Sequence, residues 1–136
     1  MQTVLNFNNG TIIYADDREL RSPVCRKLFE SKVEIKPIRL EVGDYIVSKR
    51  VCVERKTVSD FVNSMIDKRL FQQAKDLSEQ FEKPIIIVEG AEDIFSQRNV
   101  HPNAIRGAIA SLIIDFGIPI LQTNDGEDTA HMIHYL

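Results

Sequence analysis

The chain has 136 residues, of which 43% are hydrophobic and 27% are charged, and its net charge is −3. This composition excludes a disordered or low-complexity chain, and the length favours a single domain. The negative net charge excludes a protein that holds nucleic acid by bulk positive charge alone. The apolar runs are far shorter than the ~20 residues of a membrane span, and the N-terminus has no signal-peptide pattern. We therefore expect a cytosolic protein that does not contact a membrane.

The charge is distributed unevenly along the chain. Residues 1–68 carry twelve Lys and Arg against ten Asp and Glu, a net charge of +2, whereas residues 69–136 carry five against ten, a net charge of −5. Any anionic partner is therefore expected to contact the first half. Cys25 and Cys52 lie in apolar patterns without metal-ligand spacing, which predicts two buried, reduced thiols.

Short β-rich runs alternate with helical runs, which predicts an α/β layer architecture. In chain order the predicted elements are strand 11–15, a helix from Ser22-Pro23 to about 31, strand 33–40 with a kink at Pro37, strands 44–47 and 51–56 joined at 48–50, helices 57–67 and 70–81, strand 84–89, helix 102–116, strand 119–122 and helix 127–135. The continuous apolar run of 84–89 is typical of a central strand that is covered on both faces.

The helix over 103–116 is apolar nearly all the way round. A surface helix normally shows one apolar stripe, and a helix that is apolar on all sides is buried on all sides. Because a chain of this length has little material to wrap a helix completely, we expect a partner chain to cover part of it. The alternative is a central helix between the sheet and the terminal helix.

Charged side chains converge on the hairpin formed by strands 44–47 and 51–56. With a three-residue turn at 48–50, Val47 faces Val51, and counting outward places Asp44 opposite Glu54. Residues directly opposed in an antiparallel pair project on the same side, and two facing carboxylates repel unless a cation lies between them. Lys56 projects to the same face as Glu54.

Two carboxylates and an ammonium group suit a hard divalent cation. Mg²⁺ takes oxygen ligands and usually binds through one or two carboxylates, several waters and a substrate phosphate. The pattern of an Asp followed by Glu-x-Lys on the next strand is the signature of a restriction-endonuclease-like metal site. Taken alone the pattern is short, and charges on a hairpin also form ordinary solvated faces.

A longer motif surrounds this pattern. The chain has the form G-D-x(9)-E-R-K-x(3)-D, filled by Gly43, Asp44, Glu54, Arg55, Lys56 and Asp60. This motif resembles the nuclease signature of the XPF/Hef family of structure-specific endonucleases. The segments DDREL at 16–20, IDKRLFQQAKDL, PIIIVEG and RNVHPNAIRGAIASLIIDFGIPI are similar to archaeal members. The resemblance covers residues 11–136 and leaves 1–10 as an N-terminal extension.

The resemblance implies a restriction-endonuclease-like three-layer α/β/α sandwich around a mixed sheet, and a Mg²⁺- or Mn²⁺-dependent endonuclease that cuts branched DNA in repair and replication-fork processing. Asp44 and Glu54 would be the principal metal ligands, with Asp16 and the main-chain carbonyl of Arg55 as further candidates, and Lys56 would be the catalytic lysine. Arg55, Asp16 and Asp60 would complete the catalytic group, and Arg18 and Glu19 would support the site. The implied location is the nucleoid in a prokaryote or the nucleus in a eukaryote.

Three of these roles have alternatives on physical grounds. Asp60 closes the S/T-x-x-D/E capping pattern begun by Thr57, so its carboxylate can mark a helix start as well as the site. Arg55 points away from Glu54 and Lys56 by strand alternation, so a structural salt bridge is as plausible as substrate contact. Asp16 can be a loop carboxylate that caps the next segment.

The resemblance also implies partners. Candidates for DNA contact are Arg18, Arg69, Gln73, Lys49 and Arg50. Family members are dimers through the C-terminal part of the domain, and the candidates for that contact are Ile109, Leu112, Ile113, Phe116 and Ile133. The family's helicase and helix-hairpin-helix modules are absent from these 136 residues, which predicts either an excised domain or a short gene product.

Two competing functions come from other classes. A nuclease-like scaffold that dimerises without cutting DNA would have lost metal ligands, whereas Asp44, Glu54 and Lys56 are all present. An enzyme that acts on small phosphate compounds finds no support, because the sequence has no Gly-rich phosphate loop.

Overall fold

The computed structural model describes residues 12–97 and 100–136; the predicted extension 1–10 lies outside the described residues. The described residues form six strands and five α-helices. The strands are β1 (Ile12–Asp16), β2 (Glu34–Ile38), β3 (Tyr45–Ile46), β4 (Val51–Thr57), β5 (Lys83–Glu89) and β6 (Ile120–Thr123). The helices are α1 (Pro23–Glu30), α2 (Val58–Ile66), α3 (Leu70–Gln80), α4 (Pro102–Ile114) and α5 (Gly126–Tyr135). Two 3₁₀ turns that were not predicted lie at Asp17–Glu19 and Ile94–Ser96.

The strands form one mixed sheet in the order β2-β1-β3-β4-β5-β6. β3 pairs antiparallel with both of its neighbours, and the other three pairings are parallel. Helices α2, α3 and α4 pack on one face of the sheet, and α1 and α5 pack on the other. The predicted α/β/α sandwich around a mixed sheet is therefore confirmed, and we call the two sides of the sheet the α2–α4 face and the α1–α5 face.

Local sequence accounts for several element boundaries. Ser22 caps α1 by accepting a hydrogen bond from the Cys25 N–H, and the proline that follows it occupies the first helical turn, where no N–H is needed. Pro37 interrupts no ladder, because β2 is an edge strand. Cys25 and Cys52 are both buried free thiols, as predicted. No helix within 12–97 or 100–136 has the length and apolarity needed to cross a bilayer.

The chain itself covers only one side of helix α4. Ile105, Ala108 and Leu112 are buried against the sheet, whereas Ile113 is 45% exposed and Ile114 is 78% exposed. The alternative interpretation, in which α4 lies between the sheet and the terminal helix, is wrong, because α5 packs on the opposite face of the sheet.

The residues predicted for the dimer interface separate into two groups. Leu112 and Ile133 are 0% and 1% exposed inside the chain's own two cores, so neither side chain is available to a second copy. The prediction that Leu112 and Ile133 belong to the dimer interface is therefore corrected. These two side chains are apolar because they pack against the chain's own sheet. Ile113 remains accessible, and Ile109 and Phe116 are half-buried at the edge of the core.

Candidate active site

The site begins at a turn that only glycine fits. Gly43 has a φ of +85°, a left-handed conformation that side chains disfavour, and a Cβ built on it would overlap the Sγ of Cys52. The close approach of this backbone to β4 brings the next residue, Asp44, onto the edge of that strand. The glycine of the motif therefore has a steric role in placing the carboxylate.

The hairpin register agrees with the prediction for the residues that pair. Tyr45 pairs with Val53 and Ile46 with Cys52. Asp44 lies just beyond the last of these pairs: its N–H donates to the Val53 carbonyl at 2.9 Å, and its Oδ2 accepts a hydrogen bond from the Arg55 N–H at 2.8 Å. The Asp44 carboxylate therefore accepts the hydrogen bond that a backbone carbonyl of the neighbouring strand would otherwise accept from β4. This bond fixes the position of the carboxylate.

Glu54 and Lys56 project from β4 to the α2–α4 face, because residues two apart on a strand share a face. The Nζ of Lys56 lies 3.9 Å from the Oε2 of Glu54, and the Lys56 side chain is only 7% exposed. Asp44, Glu54 and Lys56 therefore form one cluster of charged groups that is largely withdrawn from water.

Burial and like charge dominate the electrostatics of this cluster. Burial, and then the negative charge of Glu54, raise the pKa of Asp44 to about 8 from an ordinary value of 3.8. Burial also raises the pKa of Glu54, and the positive charge of Lys56 opposes that rise. A divalent cation between the two carboxylates would favour their ionised forms and would therefore oppose both shifts.

Asp16 lies at the end of β1 on the same face, but its carboxylate is already engaged. Oδ1 accepts hydrogen bonds from the Leu40 N–H at 2.8 Å and from the Arg18 guanidinium, and Oδ2 accepts from the Arg18 Nε at 2.6 Å and from the Arg18 N–H. The alternative in which Asp16 caps the following segment is confirmed. Direct coordination of a metal would require Arg18 to release the carboxylate.

Arg18 makes a further hydrogen bond at the end of β1, although its side chain is 61% exposed. Its Nη2 also donates to the Leu40 carbonyl at 2.7 Å. The guanidinium still lies near the cluster, since its charge lowers the pKa of Glu54 against the larger effect of burial. Arg18 therefore contributes positive charge to the site while it organises the end of β1.

Arg55 projects to the opposite, α1–α5 face. Its guanidinium forms two hydrogen bonds with Glu89, from Nε at 3.0 Å and from Nη2 at 2.6 Å. The predicted orientation and the salt-bridge alternative are confirmed, and the grouping of the Arg55 side chain with the catalytic residues is corrected. Alternation along β4 separates that side chain from Glu54 and Lys56.

Asp60 lies in the first turn of α2. Its N–H donates to the Thr57 Oγ1 at 3.0 Å, which is the predicted capping interaction, and its side chain is exposed. Capping by Thr57 therefore accounts for Asp60 as a helix-start residue, and a role of its carboxylate in the site stays a prediction.

Besides Arg18, the residues predicted to contact DNA lie in two places. Arg69 and Gln73 belong to the start of α3 on the face that carries the carboxylates; Arg69 pairs with Asp67, and the Oε1 of Gln73 is a buried acceptor without a hydrogen-bond partner among the described residues. Lys49 and Arg50 form the exposed hairpin tip, and Arg50 lies about 13 Å from Glu54 along the strand at ~3.3 Å per residue. The structure therefore does not bring the hairpin tip to the carboxylates.

Comparison with known proteins agrees with this geometry. Residues 15–136 match the ERCC4 domain. The chain belongs to the ERCC4 domain family. The chain is 51% identical over 115 residues to a protein of Methanocaldococcus jannaschii named as an ATP-dependent RNA helicase, covering 85% of this chain and 14% of that protein. It is 41% identical over 123 residues to the 3′-flap repair endonuclease Xpf of Saccharolobus solfataricus, covering 89% of this chain and 52% of that protein.

A solved structure supports the same assignment. XPF from Aeropyrum pernix in complex with DNA superposes on this ERCC4 domain with a TM-score of 0.86 at 42% identity, covering 92% of this chain and 62% of that one. The chain spans about half, or less, of the length of the two curated relatives named above.

The donor set of this ERCC4 domain fits an open metal site. Within residues 12–97 and 100–136, no group of three or more His, Cys, Asp or Glu side chains is arranged to hold a metal ion. Two carboxylates are sufficient for Mg²⁺, which keeps several waters and shares its coordination with substrate phosphate. The observation in favour of the fit is the donor set itself: Asp44 and Glu54 lie close enough for the charge of Glu54 to raise the pKa of Asp44, and carboxylate oxygens are the ligands that such an ion takes.

Sequence reasoning missed the groups behind the site on the α1–α5 face. Glu89, Tyr45, Thr123 and Thr129 come from three strands and a helix, and no spacing in the sequence connects them. The one available signal was Glu89 itself, a carboxylate that ends the apolar run of β5. A charge at the end of a buried strand indicates a paired partner, and that partner is Arg55.

Proposed function

We propose that this ERCC4 domain is a metal-dependent endonuclease that hydrolyses phosphodiester bonds in branched DNA, such as flaps and forks. The observation that carries the proposal is the pair of half-buried carboxylates, Asp44 and Glu54, beside the buried side chain of Lys56. A relative named as a 3′-flap repair endonuclease and a structural neighbour in complex with DNA support the substrate class.

Asp44 and Glu54 are the proposed ligands of Mg²⁺ or Mn²⁺. When bound, such an ion neutralises the negative charge that develops on a phosphodiester and makes water more acidic. The Arg55 N–H fixes the Asp44 carboxylate by bonding to Oδ2, which leaves Oδ1 for the ion. The main-chain carbonyl of Arg55 and the Asp16 carboxylate remain further candidate ligands, the latter only after loss of its Arg18 contacts.

Lys56 is the proposed catalytic cation. Its ammonium is held near Glu54 in a site that excludes most water, where a hydrogen bond to a phosphoryl oxygen or to the attacking water is stronger than in solution. Arg18 adds positive charge at the same end of the sheet. Both cations oppose the repulsion between the two carboxylates and an incoming phosphate.

Binding to DNA and assembly complete the proposal. Arg69 and Gln73, on the face that carries the carboxylates, are the proposed DNA contacts on α3. A second copy of the chain is the proposed cover for the exposed apolar side of α4. A helicase or helix-hairpin-helix module, in trans or in a longer chain, is the proposed source of stronger DNA binding. The substrate implies a location with chromosomal DNA.

Cleavage of labelled 3′-flap and fork DNA with and without Mn²⁺ tests this function. We expect metal-dependent cutting by the unmodified chain, and a loss of at least about a hundredfold for Asp44→Asn and for Glu54→Gln. Glu79→Gln removes an exposed carboxylate on α3 and serves as the control with unchanged rate. Lys56→Ala is expected to lose turnover while it still binds Mn²⁺.

The same experiment tests the scaffold alternative. Dimerisation and DNA binding without cutting by the unmodified chain, at any Mn²⁺ concentration, would contradict the endonuclease and favour a scaffold. Full-rate cleavage by Asp44→Asn would contradict the assignment of the site while leaving a nuclease elsewhere in the chain.

A further inference from the structure

A network of polar side chains lies on the α1–α5 face, directly behind the carboxylates. Its centre is Arg55, which bonds twice to Glu89 and whose Nη1 lies 3.5 Å from the Oε1 of Glu19. Glu19 in turn accepts a hydrogen bond from the Tyr45 hydroxyl at 2.8 Å. The network therefore connects the turn after β1 with strands β3, β4 and β5.

Glu89 is anchored from the other end of the sheet. The Thr129 hydroxyl donates to its Oε1 at 2.6 Å, and the hydroxyls of Thr129 and Thr123 lie 2.6 Å apart. Both threonines are buried, so these hydrogen bonds are shielded from water. Burial raises the pKa of Glu89 less than the hydrogen bonds from Arg55 and Thr129 lower it, so the carboxylate is ionised opposite the guanidinium.

The members of this network are chain neighbours of the site residues. Tyr45 follows Asp44, and Arg55 stands between Glu54 and Lys56. Successive residues on a strand project to opposite faces, so a side chain that is fixed on one face also fixes the direction of its neighbour on the other. Arg55 has both connections at once: its side chain is held by Glu89, and its N–H holds Asp44 at 2.8 Å.

On the basis of the proposed function, we propose that Glu89 is a positioning residue of the site, which acts through Arg55 to hold Asp44 and Glu54 at the separation that a divalent cation requires. Two adjacent carboxylates repel, and a free strand end relieves the repulsion by turning them apart. The bidentate Glu89–Arg55 pair prevents that rotation at the residue between Glu54 and Lys56. Groups that orient metal ligands in this way commonly change metal affinity without touching the ion.

Glu89→Gln tests the proposal, because it removes the charge and keeps the size. We expect the Kd for Mn²⁺, measured from the free-ion signal in electron paramagnetic resonance, to rise about 10- to 100-fold. Flap cleavage at low Mn²⁺ is expected to fall by a similar factor and to recover at high Mn²⁺, with the KM for DNA unchanged. Thr129→Val, which removes a hydrogen bond to the same carboxylate, is expected to give a smaller change in the same direction.

A double-mutant comparison tests the route through Arg55. If Glu89 acts through Arg55, the combined Arg55→Gln and Glu89→Gln variant has the Mn²⁺ Kd of Arg55→Gln alone. Effects that add in the double variant would contradict this route. Glu82→Gln, an exposed carboxylate next to β5, is the control for the loss of one negative charge.

A second control tests whether a loss of stability alone could weaken Mn²⁺ binding. Val24→Ala removes buried volume from the same side of the sheet, and we expect it to lower the unfolding midpoint without changing the Mn²⁺ Kd. An unchanged Mn²⁺ Kd in Glu89→Gln, beside an unmodified chain that binds Mn²⁺ and cuts DNA, would overturn the positioning role only. An unmodified chain that neither binds Mn²⁺ nor cuts DNA would overturn both this role and the proposed function.

Discussion

Asp44 has a carboxyl group whose pKa is raised far above its ordinary value by burial and by the charge of Glu54. Both its main chain and its side chain are held: the Asp44 carbonyl accepts from the Asp16 N–H at 2.8 Å, and the Asp44 carboxylate accepts from the Arg55 N–H at 2.8 Å. These bonds prevent the side chain from turning into water. The carboxylate therefore remains beside Glu54, and the raised pKa values are the consequence.

The first prediction concerns the pH dependence of stability in the metal-free protein. The folded chain has an Asp44 pKa of about 8 and the unfolded chain an ordinary value near 3.8, so the folded state holds a proton that the unfolded state has released. The resulting contribution to the free energy of unfolding is fully present below pH 4 and is lost as the pH rises to about 8. We expect Asp44→Asn to lack this decrease.

Urea unfolding in EDTA at a series of pH values measures the effect. The quantity of interest is the difference between the unmodified chain and Asp44→Asn, which contains the titration of Asp44 together with its electrostatic coupling to Glu54. Addition of Mn²⁺ at pH 8 is expected to stabilise the unmodified chain and to leave Asp44→Asn unchanged. Parallel profiles for the two proteins would show that Asp44 is not buried beside another negative charge.

Among the elements, the turn before β3 has the strictest steric requirement. Gly43→Ala places a Cβ against the Cys52 Sγ at a residue whose φ is +85°, so both the side-chain contact and the backbone conformation become unfavourable. We expect a loss of about 2 to 4 kcal/mol in the free energy of unfolding, with loss of cleavage because Asp44 moves.

Gly107→Ala is the matched control for this substitution. Gly107 lies within α4, and a Cβ there meets nothing within 4 Å. Alanine is the better helix former, so we expect a gain of about 0.5 to 1 kcal/mol. Chemical denaturation measures the free energy of unfolding of both variants. Equal and small changes in the two would mean that the Gly43 turn can rearrange.

Features that depend on neighbouring residues could be predicted from the sequence. The apolar run of β5 predicted a central strand. The three-residue turn of the β3–β4 hairpin predicted the pairing of Tyr45 with Val53, and the alternation along β4 predicted that Arg55 projects away from Glu54 and Lys56. Each of these follows from a period of two residues and a turn length. The same rules placed Glu54 and Lys56 on one face.

Features that depend on distant parts of the chain could not be predicted. The Glu89 carboxylate meets Arg55 and Thr129 only because the sheet brings β4 and β5 together and α5 packs behind them. Leu112 and Ile133 show the same limit, since an apolar side chain buried by its own sheet has the same sequence pattern as one buried by a partner. The ion pair between Arg18 and Asp16 was also missed, because the two-residue spacing does not tell which way a side chain in a loop points.

At the scale of the whole molecule, the chain leaves an apolar surface exposed on one side. Besides Ile113 and Ile114, this surface includes Phe71 and Phe116, whose rings stack with centroids 6.1 Å apart across the start of α3 and the end of α4. Apolar side chains that lie together in this way on a small domain mark a surface that another protein covers. A second copy of this chain is the proposed cover.

The last prediction tests that cover. We expect the unmodified chain to be a dimer in size-exclusion chromatography with multi-angle light scattering, and Ile113→Glu and Ile114→Glu to be monomers with an unchanged circular dichroism spectrum. A charge in the centre of an apolar interface raises the dimer dissociation constant by about a hundredfold or more.

Leu20→Glu, which alters an exposed apolar residue on the other face, is expected to remain a dimer. Leu112→Glu is expected to unfold instead, because Leu112 lies inside the chain's own core. Dimers that persist in both Ile113→Glu and Ile114→Glu would place the contact elsewhere on the molecule.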